Sequence, residues 1–265
     1  MVIETFFTVK QYLRPMSLDI GEAIENGLER ALNRNSVILM GLFFVVSIIS
    51  QVFGDTVMRN LIEEGNFGPE YSEIISQFSI SELAPLALGL STEVAMAGSI
   101  LLSFLSVLIT VGAVRAFLDD GELNIEASYF TDNILWVLAN VVAGAVVFSL
   151  VLAAGFTAFI IPGVFLFVSL FFWSFYVIDQ DLNFFEALKS AWRDTKGNRL
   201  MTLALLFIVF IGNAVLTTVV GGLLSVVGST IGGLALGSVL GLVPSAIGMV
   251  LTWAIFTEGY RQISE

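Results

Sequence analysis

The sequence predicts an all-α, polytopic integral membrane protein, and three observations point to this class. Of the 265 residues, 57% are hydrophobic and only 13% are charged. The mean hydropathy is +0.92, more than a water-soluble domain of this length buries in a single core. Uncharged runs recur along the chain, and each reaches the roughly 20 apolar residues that one membrane crossing requires. We therefore expect lipid to surround most of the chain.

Six transmembrane helices, arranged as three hairpins, follow from these runs. A proline fits the first turn of a helix but not its interior, so Pro162 and Gly163 mark a break inside the run 133–178. A Gly-rich turn around Gly221–Gly233 divides the last run. The spans are expected at Val37–Phe53, Ala95–Val114, Ile134–Phe159 and Pro162–Ile178, with the last two inside Leu200–Thr257.

An even number of spans places both termini on the same side of the membrane. Every Lys and Arg except Arg59 then lies on that side, and such residues accumulate in the cytoplasm. We expect a cell-membrane protein with both termini cytoplasmic. The single membrane domain, 1–265, consists of a cytoplasmic lead-in (1–36), a first hairpin (37–114) with an outer loop (54–93), a surface helix and second hairpin (115–178), and a surface helix and third hairpin (179–265).

Each hairpin is expected to follow an amphipathic helix on the cytoplasmic surface. Leu18–Ile24 and Leu182–Leu188 match in kind at nearly every position, and in both a cap residue precedes a glutamate by three positions, as in a capping box. Apolar residues then recur at helical spacing. A shorter copy, Leu123–Ala127, precedes the third span. The alternatives are that any linker on a membrane becomes amphipathic and that the middle copy arose by chance.

The composition excludes several kinds of catalytic and metal site. The chain has no cysteine and no histidine, so Ser–His and Cys–His nucleophilic pairs and zinc sites built on thiolate or imidazole cannot form. No charged residue lies in the central part of a predicted span, which argues against a proton-driven pump. The acidic turns 119–122 and 179–181 match no calcium loop. We expect no enzymatic activity, no cofactor and no metal.

The charge balance is strongly acidic, with 23 acidic residues against 11 basic ones and a formal net charge of -12. A salt-rich cytoplasm tolerates such an excess, because the Debye length falls to about 3 Å at molar salt and like charges then hardly repel. We therefore expect a halophilic, archaeal source, with an acidic bacterial protein as the alternative. The sequence shows no basic patch of the kind that nucleic-acid binding requires, so nucleic acid is not an expected partner.

Polar residues at depth in the spans are candidates for a polar pathway. Interhelical hydrogen bonding is the commoner use of such residues. The pathway candidates are Asn140, Asn213 and Thr217.

A second candidate feature is a row of small residues in the last span. Their four-residue spacing predicts a helix-packing ridge, either inside the bundle or between subunits of a homo-oligomer. The ridge consists of Gly233, Gly237, Gly241 and Ser245.

The stretch around the break and the third surface helix carries a family resemblance. It comprises Ile161-Pro162-Gly163, an apolar run to Ile178, then Asp179, Glu186-Ala187-Leu188, Ser190, Trp192 and Lys196-Gly197-Asn198. This stretch resembles a loose group of uncharacterised six-span membrane proteins, which includes the membrane domain of some glycerophosphodiester phosphodiesterases and related bacterial and haloarchaeal domains of unknown function. The resemblance implies architecture and no activity, because the shared motif contains no catalytic residue.

The sequence as a whole favours a non-enzymatic scaffold or partner-binding component of the cell envelope. Its expected partners are the lipid bilayer and either another protein or further copies of itself. The alternative is a small-molecule or lipid transporter with its path between the repeats, and a lipid-modifying enzyme ranks third.

Overall fold

The computed structural model describes residues 18–65, 75, 77–119 and 125–264, and the regular structure within them is helical throughout. A π-helical segment, Leu216–Val220, joins the helices Arg199–Val215 and Gly221–Gly241. The helices are α1 (Ile20–Ala31), α2 (Ser36–Glu63), α3 (Ile80–Leu83), α4 (Thr92–Leu118), α5 (Ser128–Thr131), α6 (Ile134–Ala158), α7 (Ile160–Leu170), α8 (Trp173–Gln180), α9 (Phe184–Asp194), α10 (Arg199–Val215), α11 (Gly221–Gly241) and α12 (Val243–Ser264).

Five helical stretches within the described residues are long and apolar enough to cross a membrane. Many of their large side chains face outward, including Leu101 at 71% and Ile161 at 82% exposed. Apolar surface of this extent is unfavourable in water and is accommodated by hydrocarbon. The stretches are Ser36–Glu63, Thr92–Leu118, Ile134–Ala158, Ile160–Gln180 and Arg199–Ser264.

The last of these stretches doubles back at Gly232 and Gly233. Gly233 has φ +81° and ψ 177°, a conformation that only glycine adopts readily. A side chain at Gly228 would meet the Cα atom of Gly237 at 2.8 Å, so the two halves of α11 run antiparallel in close contact. The predicted turn at Gly221–Gly233 is therefore too wide, because the helix continues until two glycines reverse the chain.

The two surface helices, α1 and α9, begin with the expected caps. Asp19 accepts a hydrogen bond from the N–H of Glu22 at 3.0 Å. Asn183 accepts from the N–H of Glu186 at 3.0 Å and donates to its carboxylate at 2.6 Å. Each helix turns small residues toward the bundle, which lets it approach the spans closely. These buried residues are Ala23, Gly27 and Ala31 in α1 and Ala187 and Ala191 in α9.

The predicted middle surface helix lies partly outside the described residues, and the described part next to it contains one short helix, α5. The predicted copy at Leu123–Ala127 is not a helix where it is described, since residues 120–124 lie outside the described residues and α5 is one turn long. Asn133 adopts a left-handed conformation (φ 49°) directly before α6. In the described part of the connection between α4 and α6, α5 forms a single turn, whose Phe130 ring packs against Gly112.

The break between α6 and α7 lies where the sequence places it. Phe159 is extended and separates the two helices, so that Pro162 falls in the first turn of α7. Gly155 and Gly163 face each other across the break, and a Cβ atom on Gly155 would lie 3.1 Å from the Cα atom of Gly163. The two helices can therefore pack closely from the turn onward.

The connection between α2 and α4 is shorter than the predicted outer loop 54–93. Asp55 is 4% exposed and accepts a hydrogen bond from the N–H of Leu86 at 2.9 Å. Asn60 donates to the carbonyl of Leu90 at 3.0 Å. These hydrogen bonds stabilise the continuation of α2 beyond Phe53, where the end of the apolar run placed the end of the span.

The packed core lies at the end of the bundle that carries α1 and α9, called here the proximal end. Its largest fully buried side chains are aromatic, and their rings contact one another edge to face and in stacks. The opposite, distal end is formed by the far ends of the membrane stretches. The buried aromatic residues at the proximal end include Phe172, Phe175, Tyr176, Phe256 and Tyr260.

Candidate functional site

A buried ion pair joins the first surface helix to the last helix. The Nε atom of Arg30 lies 2.8 Å from Oε1 of Glu258, whose side chain is only 8% exposed. The guanidinium of Arg30 also donates to the carbonyls of Phe117 at 2.9 Å and Asp119 at 2.8 Å, at the end of α4. One arginine thus neutralises a buried carboxylate and satisfies carbonyls that the end of a helix leaves without partners.

Two tyrosines connect the aromatic core to carboxylates at the proximal end. The hydroxyl of Tyr260 donates to Asp179 at 2.7 Å, and that of Tyr176 donates to Asp194 at 2.8 Å. The rings meet edge to face at 4.9 Å. Asp194 is also paired with Arg193 at 2.6 Å. Burial raises the pKa of Asp194, but hydrogen bonds from Arg193 and Tyr176 outweigh it, so the pKa is lowered overall.

Arg115 links α4 to the segment before α6 at the proximal end. Its guanidinium donates to the carbonyls of Asp132 at 2.7 Å and Tyr129 at 3.3 Å, and it lies 3.7 Å from a carboxylate oxygen of Asp181. Of the acidic turns considered as ion ligands, Asp179 and Asp181 therefore have tyrosine and arginine partners. In the part of the chain that the structure describes, no group of acidic residues is placed to hold a metal ion.

Asn140 is not placed to line a pathway with the other two candidates. Its amide donates to the carbonyl of Trp136 at 2.9 Å and accepts from the N–H of Phe184 at 3.0 Å. It therefore supplies a hydrogen-bond partner to the first residue of α9, whose N–H groups have no partner within the helix. This contact explains a buried amide in a membrane helix without any ligand.

Asn213 lines a groove between α1, α10 and α12, and Thr217 lies one turn further along the chain, outside the residues that line it. The side-chain amide of Asn213 donates to the hydroxyl of Thr252 at 3.2 Å. The Oδ1 atom of the same side chain lies against Gly248 without a hydrogen-bond partner. The hydroxyl of Thr217 donates to the backbone carbonyl of Asn213 at 2.9 Å. The groove has a volume of about 250 Å³, and its walls are otherwise almost wholly apolar, including Ile24, Leu28, Ile208, Leu251 and Ile255.

The predicted glycine ridge is divided between a turn and a contact surface. Gly237 lies against the backbone carbonyl of Ser225, and Gly241 lies against Gly221, so these two glycines pack within α11. Gly233 instead forms the reversal and faces open space. Ser245 is half-buried in the first turn of α12. Gly233 therefore does not belong to the packing ridge, because its positive φ interrupts the helix on which the four-residue spacing depends.

Sequence reasoning missed the Arg30–Glu258 pair and the tyrosine–aspartate pairs. A signal for the first was present: Glu258 directly follows a long apolar run, where a carboxylate at the edge of a membrane needs a cationic partner. The choice of Arg30 depends on how α1 docks, and no local pattern reveals that.

These features define a multi-pass helical membrane protein whose surface helices are joined to its spans by buried polar contacts. The sequence pattern of a domain of unknown function (DUF7847) matches residues 18–263. The chain therefore belongs to the DUF7847 family. Neither a curated protein nor a solved structure matches the chain.

Proposed function

We propose that the protein is a non-enzymatic membrane scaffold, a partner-binding component of the cell envelope. The observation that carries this proposal is that the surface helices are built into the bundle. A side chain at Gly27 would meet the Cα atom of Ile255 at 2.6 Å, and Arg30 pairs with Glu258 on the same helix. The charged face of α1 is thereby held in a fixed position, and a preorganised surface lowers the entropic cost of binding a partner.

The proposed architecture has six spans in three hairpins. The stretch Arg199–Ser264 contains 66 residues, which as one straight helix would extend about 100 Å, whereas the hydrocarbon core is about 30 Å thick. Its reversal at Gly232 and Gly233 supports two crossings, which raises the five stretches to six spans. Both termini then lie on one side.

The proposed orientation places the proximal end in the cytoplasm. Arg30, Arg115 and Arg261 all take part in contacts at this end, whereas Arg59 pairs with Glu63 at the distal end of α2. Excess Lys and Arg on one side marks the cytoplasmic face of a membrane protein. The acidic excess of the whole chain further supports a salt-rich, archaeal cytoplasm.

The partner that we expect carries positive charge. Glu25 and Glu29 are exposed on α1, on the face turned away from the bundle. Carboxylates fixed at the surface steer and orient a basic partner more than they add affinity. The resemblance to six-span membrane domains is compatible with this role, because it implies architecture and no activity.

A second candidate function, a small-molecule or lipid permease, is favoured by the groove beside Asn213. A π-helical segment begins three residues after Asn213, at Leu216, and such segments often occur at functional sites. However, Thr217 bonds to its own helix and Asn140 to α9, so these two candidate residues do not join Asn213 in a polar path.

Two experiments test the proposal. Reversing the charge of α1 with Glu25→Lys and Glu29→Lys should remove co-purifying cytoplasmic partners in mild detergent, while Glu63→Lys at the distal end should keep them. Flux into proteoliposomes distinguishes the permease: uptake of a solute that Asn213→Leu abolishes, with the fold intact, would contradict the scaffold.

Topology is tested independently. Ser81→Cys should react with an impermeant thiol reagent only from outside, and Asn33→Cys only from the cytoplasm; both positions are exposed in the structure. Labelling of both from the same side would refute the proposed hairpins.

A further inference from the structure

Arg199 lies between two aromatic rings at the boundary between the bundle and the surrounding lipid. Its Cζ atom is 4.6 Å from the ring centroid of Phe165 and 4.8 Å from that of Trp192. Both rings are partly open to the outside, Phe165 at 43% and Trp192 at 40% exposed. The adjacent Leu200 is 72% exposed, so the charged group borders a surface that hydrocarbon must cover.

The charge of Arg199 lacks a counter-ion within the described residues. No ion pair there includes it, its Nε atom is buried without a hydrogen-bond partner, and its best polar contact is a 3.4 Å bond to the carbonyl of Trp192. Aromatic faces attract a guanidinium but do not neutralise it. An arginine held at this depth is therefore expected to recruit an anion from its surroundings.

More cations lie just before Arg199 in the sequence of an otherwise acidic chain. Residues 189–199 hold Lys189, Arg193, Lys196 and Arg199 against the single carboxylate of Asp194. Lys189 and Lys196 are exposed and take part in no ion pair of the described residues. Lys189 precedes Trp192 by about one turn of α9, and Lys196 follows it in the turn after Asp194, so both cations lie within about one turn of the chain from Trp192, whose ring Arg199 covers.

The start of α10 adds to the positive potential. The helix begins at Arg199, and the side chain of Asn198 forms no capping bond to it. The first N–H groups of a helix carry partial positive charge and favour anions.

From this arrangement we propose that Arg199, Lys189 and Lys196 form a binding site for the phosphate of an anionic phospholipid. The arginine supplies a rigid, planar set of donors that matches phosphate, and the lysines supply flexible charge. The exposed faces of Phe165 and Trp192 cover the upper part of the acyl chains. The lipid is favoured over free phosphate because apolar side chains adjoin the cations. The patch is also far smaller than nucleic-acid binding requires.

Native mass spectrometry of the purified full chain in detergent tests the proposal. Phosphatidylglycerol and phosphatidylcholine with identical chains are titrated separately. Both lipids carry a phosphate, but the choline cation makes phosphatidylcholine neutral overall. The first phosphatidylglycerol should therefore bind at least about fivefold more tightly, as expected for one unit of net lipid charge beside a cation. Lys189→Gln combined with Lys196→Gln should weaken it by a further factor of about five per charge. These two exposed positions take no part in the packing, so the variant tests the site even if Arg199→Gln destabilises the fold.

The matched control is Arg34→Gln, which removes one exposed cation from the same end, away from the aromatic pair. It should leave phosphatidylglycerol binding unchanged. Equal loss in this control, or equal affinity for the two lipids, would overturn the site. Displacement of the lipid by an equal concentration of inorganic phosphate would show a simple anion site and refute the lipid assignment.

Discussion

Nε of Arg30 and Oε1 of Glu258 lie 2.8 Å apart, and this pair joins the helix at the membrane surface to the helix that ends the bundle. Glu258 also lies 3.5 Å from a guanidinium nitrogen of Arg261. Both cations thus converge on one carboxylate among apolar side chains. Removing a partner from such a pair leaves a charge that is shielded from water.

Glu258→Ala should lower the free energy of unfolding by on the order of 2–4 kcal/mol, because Arg30 then keeps its charge in a largely buried place. Chemical unfolding in detergent, followed by circular dichroism, measures the loss. The double variant Arg30→Met with Glu258→Leu should recover only part of it, because the carbonyls of Phe117 and Asp119 and the guanidinium of Arg261 then lose a partner. Arg59→Met, which removes the exposed pair with Glu63, serves as the control and should cost less than about 1 kcal/mol. Equal losses in Glu258→Ala and the control would contradict the role of the buried pair.

Gly27→Ala should displace α1 from the bundle. The added Cβ atom would lie 2.6 Å from the Cα atom of Ile255, which is backbone and cannot rotate away. Overpacking of this kind costs about 1–3 kcal/mol. Limited proteolysis at α1, together with thermal unfolding, reports the displacement. Gly41→Ala, in α2 with no atom within 4 Å of the added Cβ, provides the comparison. If α1 stayed equally protected in both variants, the close contact would be wrong.

The sequence predicts the surface helices better than it predicts the ends of the membrane helices. Asp19 and Asn183 are local cap signals, and they need only the residues that follow them. The continuation of α2 past Asp55 depends on Leu86, which is distant in sequence. A hydropathy pattern places the start of a loop at a buried aspartate. The hydrogen bond that satisfies the carboxylate is a tertiary contact, which the pattern does not contain.

The distinction between local signals and tertiary contacts also explains which roles of the candidate site residues the sequence could predict. Asn140 is polar and deep in the sequence pattern, but its partners are fixed by the docking of α9. The spacing of the glycines identifies close contact at Gly237 and Gly241, yet cannot locate the reversal at Gly233. Periodicity describes one helix at a time, whereas function-bearing contacts arise between helices.

Tyr129 should ionise at unusually high pH. Its hydroxyl donates to Asp119 at 2.5 Å, and this bond, with burial and the charges of Asp119 and Glu126, raises the pKa of Tyr129 to about 12. The folded pKa lies above the ordinary value of about 10. The stabilisation is therefore complete below pH about 10 and is lost as the pH rises through about 12.

Absorbance at 295 nm measures this titration, and subtraction of the curve of Tyr129→Phe isolates the one phenol. Asp119→Asn should bring the pKa of Tyr129 down toward its ordinary value, since the charge and the strong acceptor are both removed. An unchanged difference curve in Asp119→Asn would show that Asp119 does not hold the proton.

Asn140→Leu should loosen the start of α9 without changing any solute flux. The substitution removes the acceptor for the N–H of Phe184, and an unsatisfied buried N–H costs about 1–3 kcal/mol. Hydrogen exchange should increase at residues 184–187. Thr157→Val, on the same helix, removes a hydroxyl that bonds only to its own helix and should leave exchange unaltered. A change of flux together with unchanged exchange would restore Asn140 to the polar pathway.

Gly233→Ala should destabilise the last hairpin although it adds only one methyl group in open space. Its φ of +81° and ψ of 177° fall in a region that side-chain-bearing residues avoid at a cost of about 1–3 kcal/mol. Gly222→Ala is the matched control: it lies in the same helix, also has nothing within 4 Å, and should stabilise α11 slightly because alanine favours helix. The two variants therefore change unfolding in opposite directions if the chain reverses at Gly233. If both raised the stability equally, α11 would be one continuous helix, and the third hairpin would be lost with it.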